Sequence, residues 1–172
     1  ANEELKQLFD SVVPFDTPKP SKLIQHMLQL STDTESDNVV LDFFGGSGTT
    51  AQAVMELNKA DGGNRKFILV QLPELTDEKS AAHKAGFKKI SDITIERVKR
   101  VIARIQDEAS DKLPGDPQRE FADSLGFKVY TLAKSHFPRV EFAPDPAKTE
   151  AENIALLEQY IREKENTFDI QF

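Results

Sequence analysis

Apolar residues recur along this chain with two different spacings. Apolar positions three or four residues apart predict amphipathic helices. The segments with this spacing are residues 2–9, 21–31, 49–60, 91–108 and 149–165, with a shorter one at 78–85. Unbroken runs of branched and aromatic residues predict buried strands. These runs are residues 39–44, 65–72 and 127–133. Proline spacing predicts an extended segment over 12–20, and turn-forming residues predict a loop over 113–126.

The middle of the chain predicts a strand–helix–strand unit. The two buried strands and the helix between them span roughly 33 residues, the length of a right-handed βαβ crossover with parallel strands. The helix positions predicted to face inward are Ala51, Val54, Met55 and Leu57. We therefore expect an α/β fold in which helices flank a partly parallel sheet.

The turn between the first strand and the helix has the glycine-rich sequence GGSGTTA, residues 45–51. Gly46, Gly48 and Ala51 satisfy the dinucleotide-binding pattern G-x-G-x-x-G/A. Glycines there indicate a sharp backbone turn that a ligand approaches closely; a tight turn without a ligand is the alternative. A P-loop is excluded, because no Lys-Ser/Thr pair follows at the required spacing.

Asp42, at the carboxyl end of the first predicted strand, separates the remaining ligands by charge. A pyrophosphate crossing this turn would be repelled by the carboxylate at short range. S-adenosylmethionine (SAM) carries an ammonium and a sulfonium group and no phosphate, so the same carboxylate would attract it. The position of Asp42 thus favours SAM over a nicotinamide dinucleotide.

The sequence LDFFGGSGTT, residues 41–50, resembles the SAM-binding motif of the DNA amino-methyltransferases, close to the form D-x-F-x-G-S-G-T-T. The segment FDTPKPSKLIQHML, residues 15–28, resembles the other cofactor motif of that family, T-x-K-P. Three further stretches, GGNRKFILVQLPE, SDITIERVKRVIARI and GFKVYTLAKSHF, together resemble the modification (Mod) subunit of type III restriction-modification systems. The resemblance covers residues 1–140 and implies a Rossmann-like SAM-dependent methyltransferase fold.

The resemblance also implies roles for the residues of the glycine motif. Asp42 would hold the methionine ammonium of SAM, directly or through water. Phe44, Gly46 and Gly48 would line the methionine and ribose part of the cofactor.

Other residues of the two motifs would bind the rest of the cofactor. The carboxylate of SAM would be received at the start of the helix, where backbone amides favour anions. The residues expected there are Ser47, Thr49 and Thr50. The extended segment would close the cofactor from the other side through Phe15, Thr17 and Lys19.

The end of the second predicted strand departs from the family's pattern. A second acid is expected there to accept both ribose hydroxyls, but the residue at that position is Gln71. A neutral amide would bind the ribose less firmly than a carboxylate. Glu74, three residues later, is the nearby carboxylate, so Gln71 and Glu74 are both candidates for the ribose contact.

The chain lacks the catalytic tetrapeptide of the family that it resembles. Methyl transfer to adenine N6 needs acceptors for the amino protons and an aromatic face for the extruded base; that family supplies them with D-P-P-Y or N-P-P-Y/F/W. The sequences DPQR at Asp116 and DPAK at Asp145 have no aromatic residue. The resemblance therefore implies the C-terminal, cofactor-binding portion of an adenine-N6 DNA methyltransferase. We expect it to hold no catalytic residue and to be inactive alone.

Two other functions stay open at the level of the sequence. One is an NAD(P)-binding Rossmann domain, which the charge of Asp42 and the neutral Gln71 disfavour. The other is an interaction module that has the same fold and binds no ligand. Titration of the folded protein with SAM and with NAD would distinguish a SAM-binding domain, an NAD(P)-binding domain and a module that binds neither.

The composition argues against disulfides, metal sites and membrane helices in this chain. There are no cysteines, which excludes disulfides and thiolate metal sites and fits a reducing cytoplasm. His26, His83 and His136 are scattered, so no metal centre is expected. No apolar run approaches the ~20 residues of a membrane helix, so no membrane partner is expected.

Charge is distributed unevenly along the chain. The net charge of −7 argues against a chain that is wholly a nucleic-acid binder. Residues 84–104 hold seven basic and two acidic residues, which either contact DNA phosphates or form a solvated helix face. Residues 141–172 hold eight acids and three bases and form an acidic, mostly helical extension beyond the domain at 1–140. The partners that the resemblance implies are DNA through the full-length enzyme, a restriction subunit and a second copy in a homodimer.

Overall fold

The computed structural model of the chain describes residues 1–133 and 142–165. In chain order its helices and strands are α1 (Asn2–Leu8), α2 (Ser21–Ser31), β1 (Val39–Asp42), α3 (Thr49–Asp61), β2 (Lys66–Leu69), α4 (Ala81–Lys84), α5 (Ile90–Glu108), α6 (Pro117–Ser124) and α7 (Glu150–Glu165). The chain divides into two units, Ala1–Val129 and Tyr130–Phe172. The second unit contains α7, the helix predicted in the acidic extension. The predicted domain boundary at residue 140 and His136 lie outside the described residues.

The sheet of the first unit consists of β1 and β2, which pair in parallel with Val39 opposite Lys66 and Asp42 opposite Leu69. Helix α3 connects the two strands, so the predicted strand–helix–strand unit and its parallel pairing are confirmed. Parallel pairing places the carboxyl ends of both strands at the same edge of the sheet. The residues that follow β1 and β2 therefore meet there.

Helix α3 is buried along most of its length. The four positions predicted to face inward are all buried: Ala51, Val54, Met55 and Leu57. Leu28 of α2 packs against α3, and Phe67 of β2 packs against the same cluster. The helix ends at Gly62, which adopts the left-handed conformation with φ of 73° that glycine allows at a helix C-terminus. This packing fixes the orientation of the helix start relative to β1.

Helix α5 is confirmed, but its buried face only partly coincides with the apolar stripe that the spacing predicts, which consists of Ile95, Val98, Ile102 and Ile105. Val98 and Ile105 are buried as the apolar stripe predicts, whereas Ile95 and Ile102 are only partly buried. The remaining buried positions include two polar residues, Thr94 and Arg97. These two polar side chains contact the glycine turn. The start of α5 is fixed by the Asp92 carboxylate, which accepts hydrogen bonds from the Lys88 and Lys89 amides at 3.1 and 2.9 Å.

Two predictions in the second half of the chain are wrong. The loop predicted over 113–126 contains α6, whose start is formed by Pro117 in the first turn and by the Asp116 carboxylate, which accepts from the Gln118 amide at 2.8 Å. Residues 127–133 form no strand in the structure, and Tyr130 and Leu132 are exposed. A strand needs a neighbour to accept its backbone hydrogen bonds, and apolar composition alone does not supply one.

The described part of the chain contains no helix long and apolar enough to cross a membrane. Within residues 1–133 and 142–165 there is also no group of three histidine, aspartate or glutamate side chains that could hold a metal ion.

Candidate ligand-binding site

The loops that follow β1 and β2 are joined at the edge of the sheet. The Gly45 amide donates to the Val70 carbonyl at 3.0 Å, and the Gly46 amide donates to Oε1 of Gln71 at 2.7 Å. The two candidate sites predicted from the sequence, the glycine turn and Gln71, are therefore in direct contact. Gln71 acts in the described chain as a brace for the turn, with its Nε2 donating to the Leu72 carbonyl at 3.1 Å.

Asp42 is fixed from both sides of the turn that follows it. Its Oδ1 accepts from the Phe44 amide at 3.0 Å, and its Oδ2 accepts from the Thr50 hydroxyl at 2.6 Å. The side chain is only partly buried. A carboxylate oxygen can accept more than one hydrogen bond, so Asp42 can still bind a cation while these two donors hold it in place.

The glycine turn requires glycine at two positions. Gly46 and Gly48 have φ of 51° and 81°, in the left-handed region that disfavours a side chain. A Cβ on Gly48 would lie 3.2 Å from the Thr94 carbonyl oxygen, and one on Gly46 would lie 3.4 Å from Cζ of Phe15. The sequence predicted close approach of a ligand to this backbone. The close neighbours in the structure are instead protein groups from α5 and from the extended segment.

The start of α3 offers backbone amides without a side-chain cap. The helix begins at Thr49, its N-cap is Gly48, and no side chain caps it. The first amides of a helix have no carbonyl one turn earlier and lie at the positive end of the helix dipole. This helix start therefore suits an anion, and Asp42 supplies a negative charge next to it.

The hydroxyl groups of the turn are already engaged within the protein. Ser47 and Thr49 are buried, and each accepts a hydrogen bond of 2.9 Å from Nη1 of Arg97. The Thr50 hydroxyl donates to Asp42. The groups of Ser47, Thr49 and Thr50 that suit an incoming anion are therefore their backbone amides rather than their hydroxyls.

Arg97 is the fully buried residue that organises this turn from inside, and the sequence prediction missed it. Its Nε donates to Oε1 of Gln52 at 2.8 Å, and its Nη2 lies 3.7 Å from a carboxylate oxygen of Glu4. Burial lowers the pKa of Arg97 to about 10, against the opposing effect of Glu4 and Glu56. The guanidinium is therefore protonated at neutral pH. No local signal in the sequence sets Arg97 apart, because a basic residue on an amphipathic helix is usually exposed.

The other basic residues of segment 84–104 fall into two groups. Arg100 binds Asp10 and Glu96, and its guanidinium lies 5.0 Å from the centre of the Phe9 ring. Arg104 binds Glu56 at 2.5 Å. The lysines of the segment are exposed: Lys84, Lys88, Lys89 and Lys99. The arginines are thus used for packing within the unit, and the lysines form the solvent-facing part.

Aromatic and aliphatic side chains are exposed at the same edge of the sheet. Phe44 is 83% exposed and Phe43 is 62% exposed, with their ring centres 5.4 Å apart. An open groove of about 380 Å³ lies between α2, β1 and these two rings. Leu72, after β2, is 65% exposed. Apolar groups thus flank the acid and the helix start.

The structure brings only part of the T-x-K-P segment onto the turn. Phe15 is partly buried and packs against both the core and Gly46. Thr17 and Lys19 are exposed. Glu74 is exposed as well, and its carbonyl accepts from the Ile90 amide at 2.9 Å. Of the two candidates for a ribose contact, Gln71 is therefore the one that the structure places on the turn.

The chain is similar to known proteins over most of its length. A family model described as DNA methylase matches residues 2–98. The chain is 44% identical over 131 residues to the type III restriction-modification enzyme StyLTI Mod subunit of Salmonella typhimurium, covering 76% of this chain and 18% of that protein. It is 39% identical over 133 residues to the EcoP15I Mod subunit of Escherichia coli, covering 77% and 18%.

A relative from another type of system is also similar to this chain. The type II methyltransferase M.KpnI of Klebsiella pneumoniae is 45% identical over 101 residues, which cover 59% of this chain and 24% of that protein. The chain thus spans about a fifth of the length of the Mod subunits and about a quarter of the length of M.KpnI.

Proposed function

The chain belongs to the DNA methylase family, and from this premise we propose that it is the SAM-binding portion of an adenine-N6 DNA methyltransferase. The identity to Mod subunits over three quarters of the chain supports the type III restriction-modification kind. The fold proposed for the intact domain is the Rossmann-like fold of SAM-dependent methyltransferases. The parallel pair β1 and β2 with α3 between them supports that fold.

The observation that carries the proposal is the pairing of a fixed acid with an uncapped helix start. SAM ends in an amino acid, with an ammonium and a carboxylate on one carbon. Asp42 holds a negative charge beside the turn, and the first amides of α3 lie within the same turn. The two ends of that amino acid have opposite charges, and the site offers the matching charge for each.

The remaining contacts are assigned by position. Asp42 binds the ammonium, and the backbone amides of Ser47, Thr49 and Thr50 receive the carboxylate. Gly46 and Gly48 supply the left-handed backbone angles of the turn that leads into this helix start. The ligand carboxylate is assigned to the amides of these three residues and not to their hydroxyls, because the hydroxyls already form hydrogen bonds with Arg97 and Asp42.

The nucleoside part of SAM is assigned to the groups around the sheet edge. Gln71 and Glu74 are the candidates for the ribose hydroxyls. Phe44 supplies an exposed apolar face beside the acid. Phe15, Thr17 and Lys19 close the cofactor from the extended segment, and Phe15 already contacts the turn. When bound, SAM supplies an electrophilic methyl group on its sulfonium, and these residues orient that group and exclude water from it.

The exposed apolar surface of β1 supports the proposal that this unit belongs to a larger sheet. Within the described residues β1 has one neighbour, β2, and Val39 and Leu41 are each 57% exposed. The Mod relatives are several times longer than this chain. We assign residues 1–140 to the SAM-binding portion of the methyltransferase domain and residues 141–172 to the acidic extension. The aromatic tetrapeptide for adenine is absent from the sequence, so methyl transfer requires groups outside it.

The proposed partners follow from the same similarity to Mod subunits. DNA binds through the full-length enzyme, with the exposed lysines of segment 84–104 as the basic groups available here. A restriction subunit and a second copy in a homodimer are the proposed protein partners.

Calorimetric titration of the folded chain with SAM and with NAD⁺ tests the proposal. We expect SAM to bind, NAD⁺ not to bind, and Asp42→Asn to weaken SAM binding by about tenfold, because a charged hydrogen bond is lost. Asp37→Asn is the matched control, because this exposed acid precedes β1 and pairs with Lys66 at the opposite end of the strand. Binding of NAD⁺ instead of SAM, or equal SAM affinity in wild type and Asp42→Asn, would contradict the assignment.

A further inference from the structure

Helix α5 directs two polar side chains into the back of the glycine turn. The Thr94 hydroxyl donates to the Gly46 carbonyl at 2.5 Å, and Arg97, one turn later, donates to the hydroxyls of Ser47 and Thr49. The turn is therefore held from behind by a helix that lies more than 40 residues further along the chain. The same turn carries the amides to which the carboxylate of SAM was assigned.

The positive charge of Arg97 is only partly balanced by its neighbours. Its nearest carboxylate, on Glu4, lies 3.7 Å from Nη2, beyond hydrogen-bond distance, and Nη2 has no hydrogen-bond partner among the described residues. Glu56 makes its short contact with Arg104 instead. A partly balanced charge in a buried position acts at longer range than a solvated one, because the surrounding dielectric constant is low.

Hydrogen bonding alone does not require an arginine here. Ser47 and Thr49 are uncharged, and a neutral donor could satisfy them. A buried charge costs free energy unless it is compensated. Its position behind the helix start to which the ligand carboxylate is assigned gives the charge a use in binding.

We propose that Arg97 is a positioning residue that gives the site its selectivity for a ligand carboxylate. It holds the Ser47 and Thr49 hydroxyls inward, so that the backbone amides of the turn face the ligand, and its charge strengthens the attraction of the helix start for an anion. This inference rests on the proposed SAM binding. Arg97 acts through the turn and does not contact the ligand itself.

The test compares SAM with decarboxylated SAM, which keeps the adenosine, the sulfonium and the amine and lacks only the carboxylate. Affinities of both ligands are measured by calorimetry for wild type and for Arg97→Gln. We expect wild type to prefer SAM by about tenfold or more, and we expect Arg97→Gln to reduce this preference to about two- or threefold while binding of decarboxylated SAM changes little. Arg100→Gln is the matched control, because Arg100 lies on the same helix and pairs with Asp10 and Glu96 at the surface.

A purely structural role gives a different result. Equal weakening of both ligands in Arg97→Gln, or equal affinity of wild type for both ligands, overturns the inference and leaves SAM binding in place. Failure of wild type to bind either ligand overturns the proposed function as well.

Thermal unfolding identifies a variant that does not fold, and Glu4→Gln then decides the question. This change removes the carboxylate nearest to Arg97 and keeps an acceptor for the Ser21 amide, which now lies 3.3 Å from Glu4. We expect the preference for SAM over decarboxylated SAM to rise by about twofold, because the charge of Arg97 is less balanced. An unchanged or reduced preference overturns the inference.

Discussion

The Thr50 hydroxyl donates a hydrogen bond of 2.6 Å to the Asp42 carboxylate, across the glycine turn that separates the two residues. Thr50 lies in the first turn of α3, and Asp42 is the last residue of β1. The bond therefore ties the acid to the same helix start whose amides suit an anion. The two charges of the proposed amino-acid ligand are matched by two groups held at a fixed separation.

Replacing Thr50 with valine removes this hydroxyl while keeping the shape of the side chain. We expect Thr50→Val to lower SAM affinity by about three- to tenfold, because Asp42 loses one of the two donors that hold it. The free energy of unfolding should fall by about 1 kcal/mol. Calorimetry and urea unfolding measure the two effects. Thr50→Ser keeps the hydroxyl and should retain most of the affinity; equal losses in both variants would contradict the role of the bond.

Gly48 and Gly62 provide a matched pair for testing the contact between α5 and the turn. Both have positive φ, 81° and 73°, but a Cβ on Gly48 would lie 3.2 Å from the Thr94 carbonyl oxygen, whereas a Cβ on Gly62 would meet nothing within 4 Å. We expect Gly62→Ala to cost about 1 kcal/mol of unfolding free energy for the backbone conformation alone. Gly48→Ala should cost about 1 to 2 kcal/mol more, because the contact adds to that cost. Urea unfolding of both variants tests the difference. Equal costs would show that Thr94 can move away from the added Cβ without loss of stability.

Local sequence was sufficient to predict the central unit of this fold. The two strands, the helix between them, its inward residues and the acid before the glycines follow from spacing over a few residues, and the structure contains all of them. The unusual backbone conformation of the glycines in the turn was also predictable from local sequence, because a strand that turns directly into a helix needs such angles.

The environment of the turn was not predictable from local pattern. Arg97 and Thr94 are buried because they contact residues 45 to 50 positions earlier in the sequence. A basic residue on a helix is usually solvent-exposed, and only the three-dimensional contact with Ser47 and Thr49 reverses that expectation. The segment 127–133 shows the opposite case, since its strand pattern has no partner within the described residues.

Glu4 and Glu3 are adjacent acids on α1 with different surroundings. Glu4 is 28% exposed and faces the buried guanidinium of Arg97, whereas Glu3 is 78% exposed and pairs with Lys6 in the same helix. We expect Glu4→Ala to lower the free energy of unfolding by about 1 to 3 kcal/mol, because it leaves a buried charge with less compensation. Glu3→Ala should change it by less than about 0.5 kcal/mol. Chemical unfolding at neutral pH compares the two, and similar values would mean that Glu4 does not compensate Arg97.

Asp61 gives the fold a defined dependence on pH. Burial raises the pKa of Asp61, but hydrogen bonds from Arg65 and Gly63 and the charge of Arg65 together lower it below its ordinary value of 3.8. A carboxylate with a lowered pKa contributes stability above its ordinary pKa and loses it as the pH falls through the lower folded value. We therefore expect Asp61→Asn to destabilise the protein by about 1 to 2 kcal/mol at neutral pH and by less at a pH of about 2 to 3. Urea unfolding at both pH values measures this, and a pH-independent cost would contradict it.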